Sequence, residues 1–231
     1  GFYPANSIGD DVEIYTDETR QTVLTTLHML RQQTRKIKGK YNMCLADFVA
    51  PKSTGIADYI GLFAVTAGMD IHAQLSVFEK NNDDYNAIML KALADRLAES
   101  FAEHMHMRVR REFWSYAAHE TLSNDELIAE KYRGIRPAPG YPACPDHTEK
   151  QAIFDLLSAE ESAGIILTEN YAMLPASSVS GYYFAHPQSQ YFSIGKIGSD
   201  QIADYAKRKQ LDKPIVERWL STHLMENEKV T

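Results

Sequence analysis

One short segment of the chain combines a stiff backbone with side chains that can hold an anion. Residues 133–147 read Arg-Gly-Ile-Arg-Pro-Ala-Pro-Gly-Tyr-Pro-Ala-Cys-Pro-Asp-His. Proline fixes φ, so the prolines at 137, 139, 142 and 145 pre-shape this loop, and Gly140 permits an unusual turn or the close approach of a ligand. Arg136 can grip a carboxylate through two parallel hydrogen bonds, and Tyr141 can stack or donate one. The residues alone leave two interpretations open, an anion-binding loop or a structural connection with Arg136 in a salt bridge.

Several other chemistries lack their motifs. The sequence has neither a GxGxxG after a strand nor a GxxxxGK[ST], and it has no GxSxG. His104 and His106 lie about 200° apart around a helix, so they cannot chelate one metal ion together. Asp70-Ile71-His72 begins like the cobalamin-ligating DxHxxG pattern, but Leu75 stands where glycine is needed, and a surface turn is the better interpretation. We therefore set these chemistries aside and expect no metal site in this chain.

Composition narrows the class of protein further. With 231 residues the chain can bury one substantial core, and its formal net charge of −7 argues against a nucleic-acid surface. Two basic clusters, 108–111 and 207–209, each lie near a predicted helix end, where cations favour the helix dipole. Cys44 and Cys144 form no CxxC pair, and two reduced thiols are favoured over a disulfide. Without an apolar run of ~20 residues or a signal peptide, we expect a cytoplasmic protein with no membrane partner.

The elements before the loop can be read from periodicity. Alternation over 11–15 predicts a strand, and a helix is predicted over 18–35, closed by Gly39. The apolar run 59–65 fits either a strand or a buried helix. A long helix is predicted over 84–114, capped by Asp83 or Asp84, with an apolar stripe every fourth residue: Met89, Leu93, Leu97, Phe101 and Met105. A polar row follows a neighbouring face of the same helix: Arg96, Glu99, Glu103 and His106.

The second half of the chain predicts helices around a hairpin. Helices are predicted over 124–132 and 148–163, and strands over 181–186 and 191–197 form a hairpin around residues 187–189. Two short helices follow, one after Ser199 and one with Pro214 in its first turn. The pattern predicts a single α+β domain with a mainly antiparallel sheet and several helices.

Specific segments then identify a family. Arg136-Pro-Ala-Pro-Gly-Tyr-Pro142, followed by Cys144-Pro-Asp-His-Thr-Glu-Lys150, resembles the C-terminal activation domain of vitamin B12-dependent methionine synthase. Matching segments occur in the same order along nearly the whole chain: 45–52, 58–61, 63–66, 91–99 and 179–184. So many ordered matches make chance an unlikely explanation.

The resemblance implies a function in methionine biosynthesis. In that family the domain binds S-adenosylmethionine and presents its methyl group to a cobalamin held by a neighbouring domain. Because the cobalt makes the new bond, the resemblance implies no catalytic acid, base or nucleophile in this chain. When the cobalamin has been oxidised to cob(II)alamin, an electron from flavodoxin or a flavoprotein reductase allows the methyl group to restore methylcobalamin. The chain is then expected to be part of a cobalamin-dependent methyltransferase (5-methyltetrahydrofolate–homocysteine methyltransferase), and to be inactive alone.

The family motifs assign roles to individual residues. Arg136 is expected to hold the methionine carboxylate, Ala138 to contact the adenosine through its backbone, and Gly140 and Tyr141 to shape the pocket. Glu99, Glu130 and Tyr191 are the matching acidic and tyrosine positions, and His147 is expected to face the cobalamin. From the residues alone, Glu99 and Glu130 also fit solvated helix charges, and Tyr191 also fits a hairpin core residue.

The sequence departs from the family at its beginning. The family has a further N-terminal portion with an Asp-Trp-Thr-Pro-Phe-Phe segment that helps to bind the substrate ammonium, and nothing like it precedes Gly1. The resemblance therefore implies that residues 1–231 form one activation domain that is N-terminally incomplete. An alternative is a stand-alone S-adenosylmethionine-binding or interaction module that acts in trans without catalysis of its own.

Overall fold

The computed structural model describes residues 1–225, and it confirms the α+β class. The strands are β1 (Phe2–Ile8), β2 (Asp11–Tyr15), β3 (Val23–His28), β4 (Asp58–Thr66), β5 (Ile166–Leu167), β6 (Met173–Leu174) and β7 (Ser178–Tyr183). The described residues form a five-stranded sheet in the order β3-β2-β1-β4-β7, with every neighbouring pair antiparallel, while β5 and β6 pair separately. The run 59–65 is therefore a strand.

The α-helices surround this sheet. They are α1 (Ile71–Lys80), α2 (Asp84–Arg108), α3 (Asn124–Ile128), α4 (Lys150–Leu157), α5 (Ala159–Ala163), α6 (Ser199–Lys209) and α7 (Lys213–Trp219). Helix α2 continues into a π-helical turn, Val109–Phe113, so the predicted long helix is confirmed, and Asp83 caps it by accepting from the backbone N–H of Asn86. Among the described residues no helix combines the length and apolar character that crossing a bilayer requires.

Alternation along β4 gives the sheet two packed faces. Ile60 and Leu62 belong to the core cluster that contains Ile153 and Phe154 of α4. Phe63 and Val65 point the other way and pack with Ala102 of α2. A third cluster joins α6 and α7 to the segment around Ile194 and Ile197. The two faces of β4 thus place α2 and α4 on opposite sides of the sheet.

The predicted helix over 18–35 is wrong. Residues 23–28 form β3, which pairs with β2 in the register Asp11↔His28 to Tyr15↔Val23. Val23, Thr25 and Thr26 are β-branched and favour a strand, and pairing with β2 decides the ambiguity.

Four other predictions need correction. The helix over 124–132 shortens to α3, and the helix over 148–163 divides at Ser158, whose φ is +47°. The start of the cobalamin-like pattern is the start of α1 rather than a surface turn. Residues 191–197 form no strand, because backbone from the proline-rich loop occupies the free edge of β7. The two C-terminal helices and the strand over 11–15 are confirmed.

Helix α2 packs through its alanines rather than through its large apolar residues. Ala94, Ala98 and Ala102 are at most 3% exposed, whereas Leu93 and Leu97 are 54% and 62% exposed. Met89 and Phe101 are exposed as well, and Met105 is the member of the predicted stripe that packs beside the sheet. Small side chains let the helix backbone approach the sheet closely, which brings the polar row of α2 near the proline-rich loop.

This packing predicts opposite outcomes for neighbouring substitutions in α2. Ala98→Leu should lower the free energy of unfolding by about 1–3 kcal/mol, because it forces new volume between helix and sheet. Leu97→Ala should change it by less than about 0.5 kcal/mol, as expected for an exposed position. Urea denaturation of both variants tests this, and a larger loss in Leu97→Ala would contradict the assignment of the buried face.

Candidate functional site

The proline-rich loop, residues 133–147, pairs through its backbone with the edge strand β7 of the sheet. Ile135 and Phe184 exchange two backbone hydrogen bonds of 3.1 and 3.0 Å, and the N–H of Tyr182 donates to the carbonyl oxygen of Pro137 at 2.9 Å. A Cβ at Gly181 would lie 2.5 Å from that oxygen, so glycine is needed for the loop to come this close to β7. The loop is therefore held on one side by backbone hydrogen bonds to the edge strand β7.

A tight turn follows within the same loop. The N–H of Gly140 donates to the carbonyl oxygen of Cys144 at 2.7 Å, and Cys144 N–H donates back to the carbonyl oxygen of Tyr141 at 2.9 Å. Gly140 has a φ of +90°, and the ring of His147 occupies the space that a Cβ would need. These contacts fix the turn that presents Tyr141.

The loop forms one wall of a cavity of about 220 Å³. Arg136 and Glu99 are the charged residues of its lining, and the remainder is mainly apolar or aromatic: Phe63, Pro137, Ala138, Tyr141, Pro142, Ala143, Val179, Tyr191 and Phe192. Tyr141 is 58% exposed and Tyr191 is 37% exposed, so the cavity opens to solvent beside these two rings. The cavity thus combines an apolar wall with one cation and one carboxylate.

Arg136 is held in place by three side chains. Its Nη2 lies 2.6 Å from Oε2 of Glu103, and its Nη1 donates to the Tyr132 hydroxyl at 2.9 Å and faces Nδ1 of His106 at 3.4 Å. Burial by itself lowers the pKa of Arg136, but the neighbouring Tyr132, Tyr191 and Glu103 raise it above its ordinary value. Tyr132 and His106 take up the two Nη1 hydrogens, and Glu103 pairs with Nη2 as an ion, so donors on Nε and Nη2 are left for a ligand.

Tyr191 connects the distant C-terminal segment to this arginine. Its hydroxyl accepts a 3.0 Å hydrogen bond from the backbone N–H of Arg136 and lies 3.4 Å from the Tyr132 hydroxyl. Ile194 N–H also donates to the carbonyl oxygen of Pro142 at 2.8 Å. Residues 191–197 therefore follow the loop, and Tyr191 is a cavity residue rather than part of a hairpin.

Glu103, His106 and Tyr132 are site residues that the sequence did not predict. Glu103 and His106 belong to the polar row of α2, together with Glu99. That spacing was the available signal, because residues three and four apart share one helix face. Tyr132 gave no comparable signal.

The basic cluster at the end of α2 also has a different role from the predicted one. Arg110 is completely buried, forms a bidentate pair with Glu120 at 2.8–3.0 Å, and places its guanidinium 4.4 Å from the centre of the Tyr132 ring. Arg110 thus supports the ring that binds Arg136, whereas Arg111 is exposed.

Comparisons with known proteins agree on one family. A family model described as the activation domain of vitamin B12-dependent methionine synthase matches residues 1–210. A solved structure described as the crystal structure of the MetH reactivation domain bound to AdoHcy superposes with a TM-score of 0.95. The two chains are 58% identical, over 98% of this chain and 70% of that chain.

This chain belongs to the activation-domain family of vitamin B12-dependent methionine synthase. The activation domain is therefore part of a cobalamin-dependent methyltransferase, as the resemblance implied.

The activation domain brings together most of the predicted site residues. Arg136, Ala138, Tyr141, Glu99 and Tyr191 all line the cavity.

The other predicted site residues lie outside the lining. Gly140 and His147 contact each other in the tight turn of the loop. Lys150 donates a hydrogen bond to Nδ1 of His147 at 2.8 Å. Glu130 is exposed just after α3, with a φ of +53°, and it is not a lining residue. The roles assigned to these residues remain predictions.

A buried charge network anchors the end of the loop. Nζ of Lys209 on α6 donates to Oδ2 of Asp146 at 2.8 Å, to the Thr148 hydroxyl at 2.7 Å and to Oε1 of Glu149 at 2.6 Å. Tyr205 donates to the same Asp146 oxygen at 2.9 Å. Burial acts to raise the pKa of Asp146, but Lys209 and the Thr148 hydrogen bonds outweigh it and lower this pKa. The second basic cluster thus does more than favour the dipole of α6, because Lys209 connects that helix to the loop.

Removing Lys209 should destabilise the activation domain. We expect Lys209→Met to lower the free energy of unfolding by about 3–5 kcal/mol, because it leaves two buried carboxylates without their cation. Lys207→Met is the matched control, since Lys207 is exposed on the same helix. Urea denaturation measures both, and equal effects would contradict the proposed anchor.

The stability of the activation domain should fall as the pH is lowered. Burial, and then the nearby Arg110 and Arg136, hold the pKa of His106 well below its ordinary value of 6.5. Below about pH 6.5 the unfolded chain binds a proton at His106 that the folded chain does not bind, so the free energy of unfolding decreases with decreasing pH. Urea denaturation between about pH 7 and pH 5 should show this decrease, and His106→Phe should flatten it. An unchanged pH dependence in the variant would assign the effect to other groups.

Proposed function

We propose that this chain binds S-adenosylmethionine in the cavity beside Arg136 and presents its methyl group for the reductive methylation of cob(II)alamin in methionine synthase. The observation that carries the proposal is the partly satisfied guanidinium of Arg136, which keeps an Nε–H and an Nη2–H among apolar walls. The related MetH reactivation domain, 58% identical, was crystallised with AdoHcy, which is S-adenosylmethionine without the transferred methyl group.

The residues of the cavity fit this ligand. Two parallel N–H groups of an arginine match the carboxylate of the methionine portion. The Glu99 carboxylate and the partly exposed rings of Tyr141 and Tyr191 suit a ligand that carries a sulfonium and an ammonium, because cations favour both carboxylates and aromatic faces. The apolar surfaces of Phe63, Ala138 and Phe192 suit the adenosine portion.

The mechanism assigns binding and orientation to this chain. The cobalamin of a neighbouring domain supplies the metal that accepts the methyl group. Arg136 anchors one end of the methyl donor, and the stiff loop holds the cavity wall at a fixed distance from it, which lowers the entropic cost of alignment. The opening between Tyr141 and Tyr191 leaves a route by which the methyl group can meet an acceptor on another domain.

We infer the partners from the same reaction. The cobalamin-binding domain of methionine synthase must meet the open side of the cavity. The electron comes from flavodoxin or a flavoprotein reductase, and the overall enzyme is a 5-methyltetrahydrofolate–homocysteine methyltransferase. The chain alone, without the cobalamin-binding domain, is expected to bind its ligand but to transfer no methyl group.

Calorimetric titration tests the binding step directly. The chain should bind S-adenosylmethionine, and Arg136→Ala should weaken binding by about 2–5 kcal/mol, the usual effect of removing one partner of a buried, hydrogen-bonded charge pair. Arg111→Ala is the matched control, since this arginine is exposed and does not line the cavity. Equal affinities of wild type and Arg136→Ala for S-adenosylmethionine would contradict the assignment of this cavity as the binding site.

A further inference from the structure

His106 is the most deeply buried member of the polar row on α2. Its side chain is completely inaccessible to solvent, and its ring stacks on Tyr183 at 5.2 Å with an interplanar angle of 15°. The edge of Tyr132 packs against it at 5.0 Å. Since a buried polar ring needs partners for its nitrogen atoms, the contacts of Nδ1 and Nε2 indicate what this histidine does.

Those contacts define a single tautomer. Nδ1 faces Nη1 of Arg136 at 3.4 Å, and Nε2 faces the Tyr116 hydroxyl at 3.4 Å. A guanidinium can only donate, so Nδ1 must be the acceptor, and the proton of the neutral ring must be on Nε2. Burial disfavours an imidazolium, and the nearby positive charges of Arg110 and Arg136 disfavour it further.

The neighbours of His106 show how this tautomer is maintained. Gly134 has a φ of +86°, and a Cβ there would lie 2.5 Å from the Tyr116 hydroxyl oxygen. The absence of a side chain at Gly134 therefore lets Tyr116 reach Nε2 of His106. Arg136 follows two residues after Gly134, so the same stretch of loop carries the glycine and the arginine.

Nδ1 of His106, as an acceptor for Nη1 of Arg136, helps to fix the orientation of the guanidinium. With Tyr132 and His106 both on Nη1 and Glu103 on Nη2, rotation of the guanidinium would break several contacts at once. The donors on Nε and Nη2 are thereby kept available for a ligand. A stacking ring without a nitrogen acceptor would fill the same space but would leave one Nη1 hydrogen unpaired.

We propose that His106 is a positioning residue that orients Arg136 for the carboxylate of the bound ligand and thereby sets the preference for ligands that carry a carboxylate. This inference rests on the proposed function, because it takes the methionine portion of S-adenosylmethionine as the group that Arg136 grips. His106 itself does not line the cavity.

The test compares two ligands that differ only in the carboxylate. Calorimetry with the full 231-residue chain measures S-adenosylmethionine and decarboxylated S-adenosylmethionine. His106→Phe keeps a stacking ring but removes the acceptor, and it should weaken binding of S-adenosylmethionine by about tenfold or more, as expected for a lost hydrogen bond to a charged group. The affinity for the decarboxylated ligand should stay within about twofold of wild type, because that ligand does not use the oriented edge.

Two further substitutions separate orientation from packing. His106→Asn can place its Oδ1 near the position of Nδ1 and should keep much of the preference for the carboxylated ligand. His106→Gln directs its amide towards Tyr116 instead and should lose that preference. This pair decides the question if the phenylalanine variant fails to fold. His104→Phe is the matched control, since His104 is exposed on the same helix, and it should bind both ligands as wild type does.

Each contrary outcome is distinct. Equal weakening towards both ligands in His106→Phe, or equal preference in the Asn and Gln variants, would overturn the positioning role and leave His106 as a packing residue. Unchanged binding of both ligands in His106→Phe would overturn it as well. A wild-type chain that binds neither ligand would instead overturn the proposed function, and this inference with it.

Discussion

The backbone pairing between the proline-rich loop and β7 is the constraint on which the site depends. Most edge strands of a sheet present unpaired N–H and C=O groups to solvent. Here the backbone of Ile135 and Pro137 forms hydrogen bonds with the backbone of Phe184 and Tyr182, and Gly181 leaves room for this contact. Because prolines cannot donate and have restricted φ values, the loop forms this ladder on one side only and does not continue as a strand. A rigid irregular segment is thus fixed to the sheet, while its other side contacts Tyr191 and forms one wall of the cavity.

The close packing of α2 places the second half of the site. Its buried alanines bring the helix backbone near β4 and β7. As a result, Glu103 and His106 contact Arg136 of the loop, and Glu99 lines the same cavity as Arg136. Larger residues on that face would hold the helix farther from the sheet and would separate Glu103 from Arg136. The ion pair between Glu103 and Arg136 therefore depends on the small side chains of the neighbouring face of α2.

The site is surrounded by charges that have been removed from water. Arg110 with Glu120 lies behind Tyr132, and Lys209 with Asp146 and Glu149 lies behind the end of the loop. Buried charges are costly unless they are paired with good geometry, so their partners must stay in place. Such networks restrict how far the loop ends can move, which suits a domain whose task is to hold a small ligand in one orientation for another domain.

The sequence by itself determined the loop, the family, the long helix and five of the eleven residues that line the cavity. Prolines, glycine and arginine at fixed spacing carry their own conformational and chemical meaning, so Arg136 and Tyr141 could be predicted without a fold. The family resemblance added Ala138, Glu99 and Tyr191. Periodicity also located the polar row of α2, because three- and four-residue spacing depends only on helix geometry. Local patterns were weaker for the segment 18–35, where the apolar spacing predicts a helix but the β-branched residues favour a strand. Pairing with β2 decided this ambiguity in favour of the strand β3.

Only the tertiary structure decided which surfaces meet. The apolar stripe of α2 suggested a buried face, yet the sheet packs on the alanines, since the sequence does not reveal how closely a partner approaches. The contacts of Arg136 come from α2, from Tyr132 and from Tyr191, which are separated by up to 88 residues along the chain (191 − 103). Hydrogen bonds between such distant residues depend on the packing of the whole sheet, and no local pattern in the sequence encodes them.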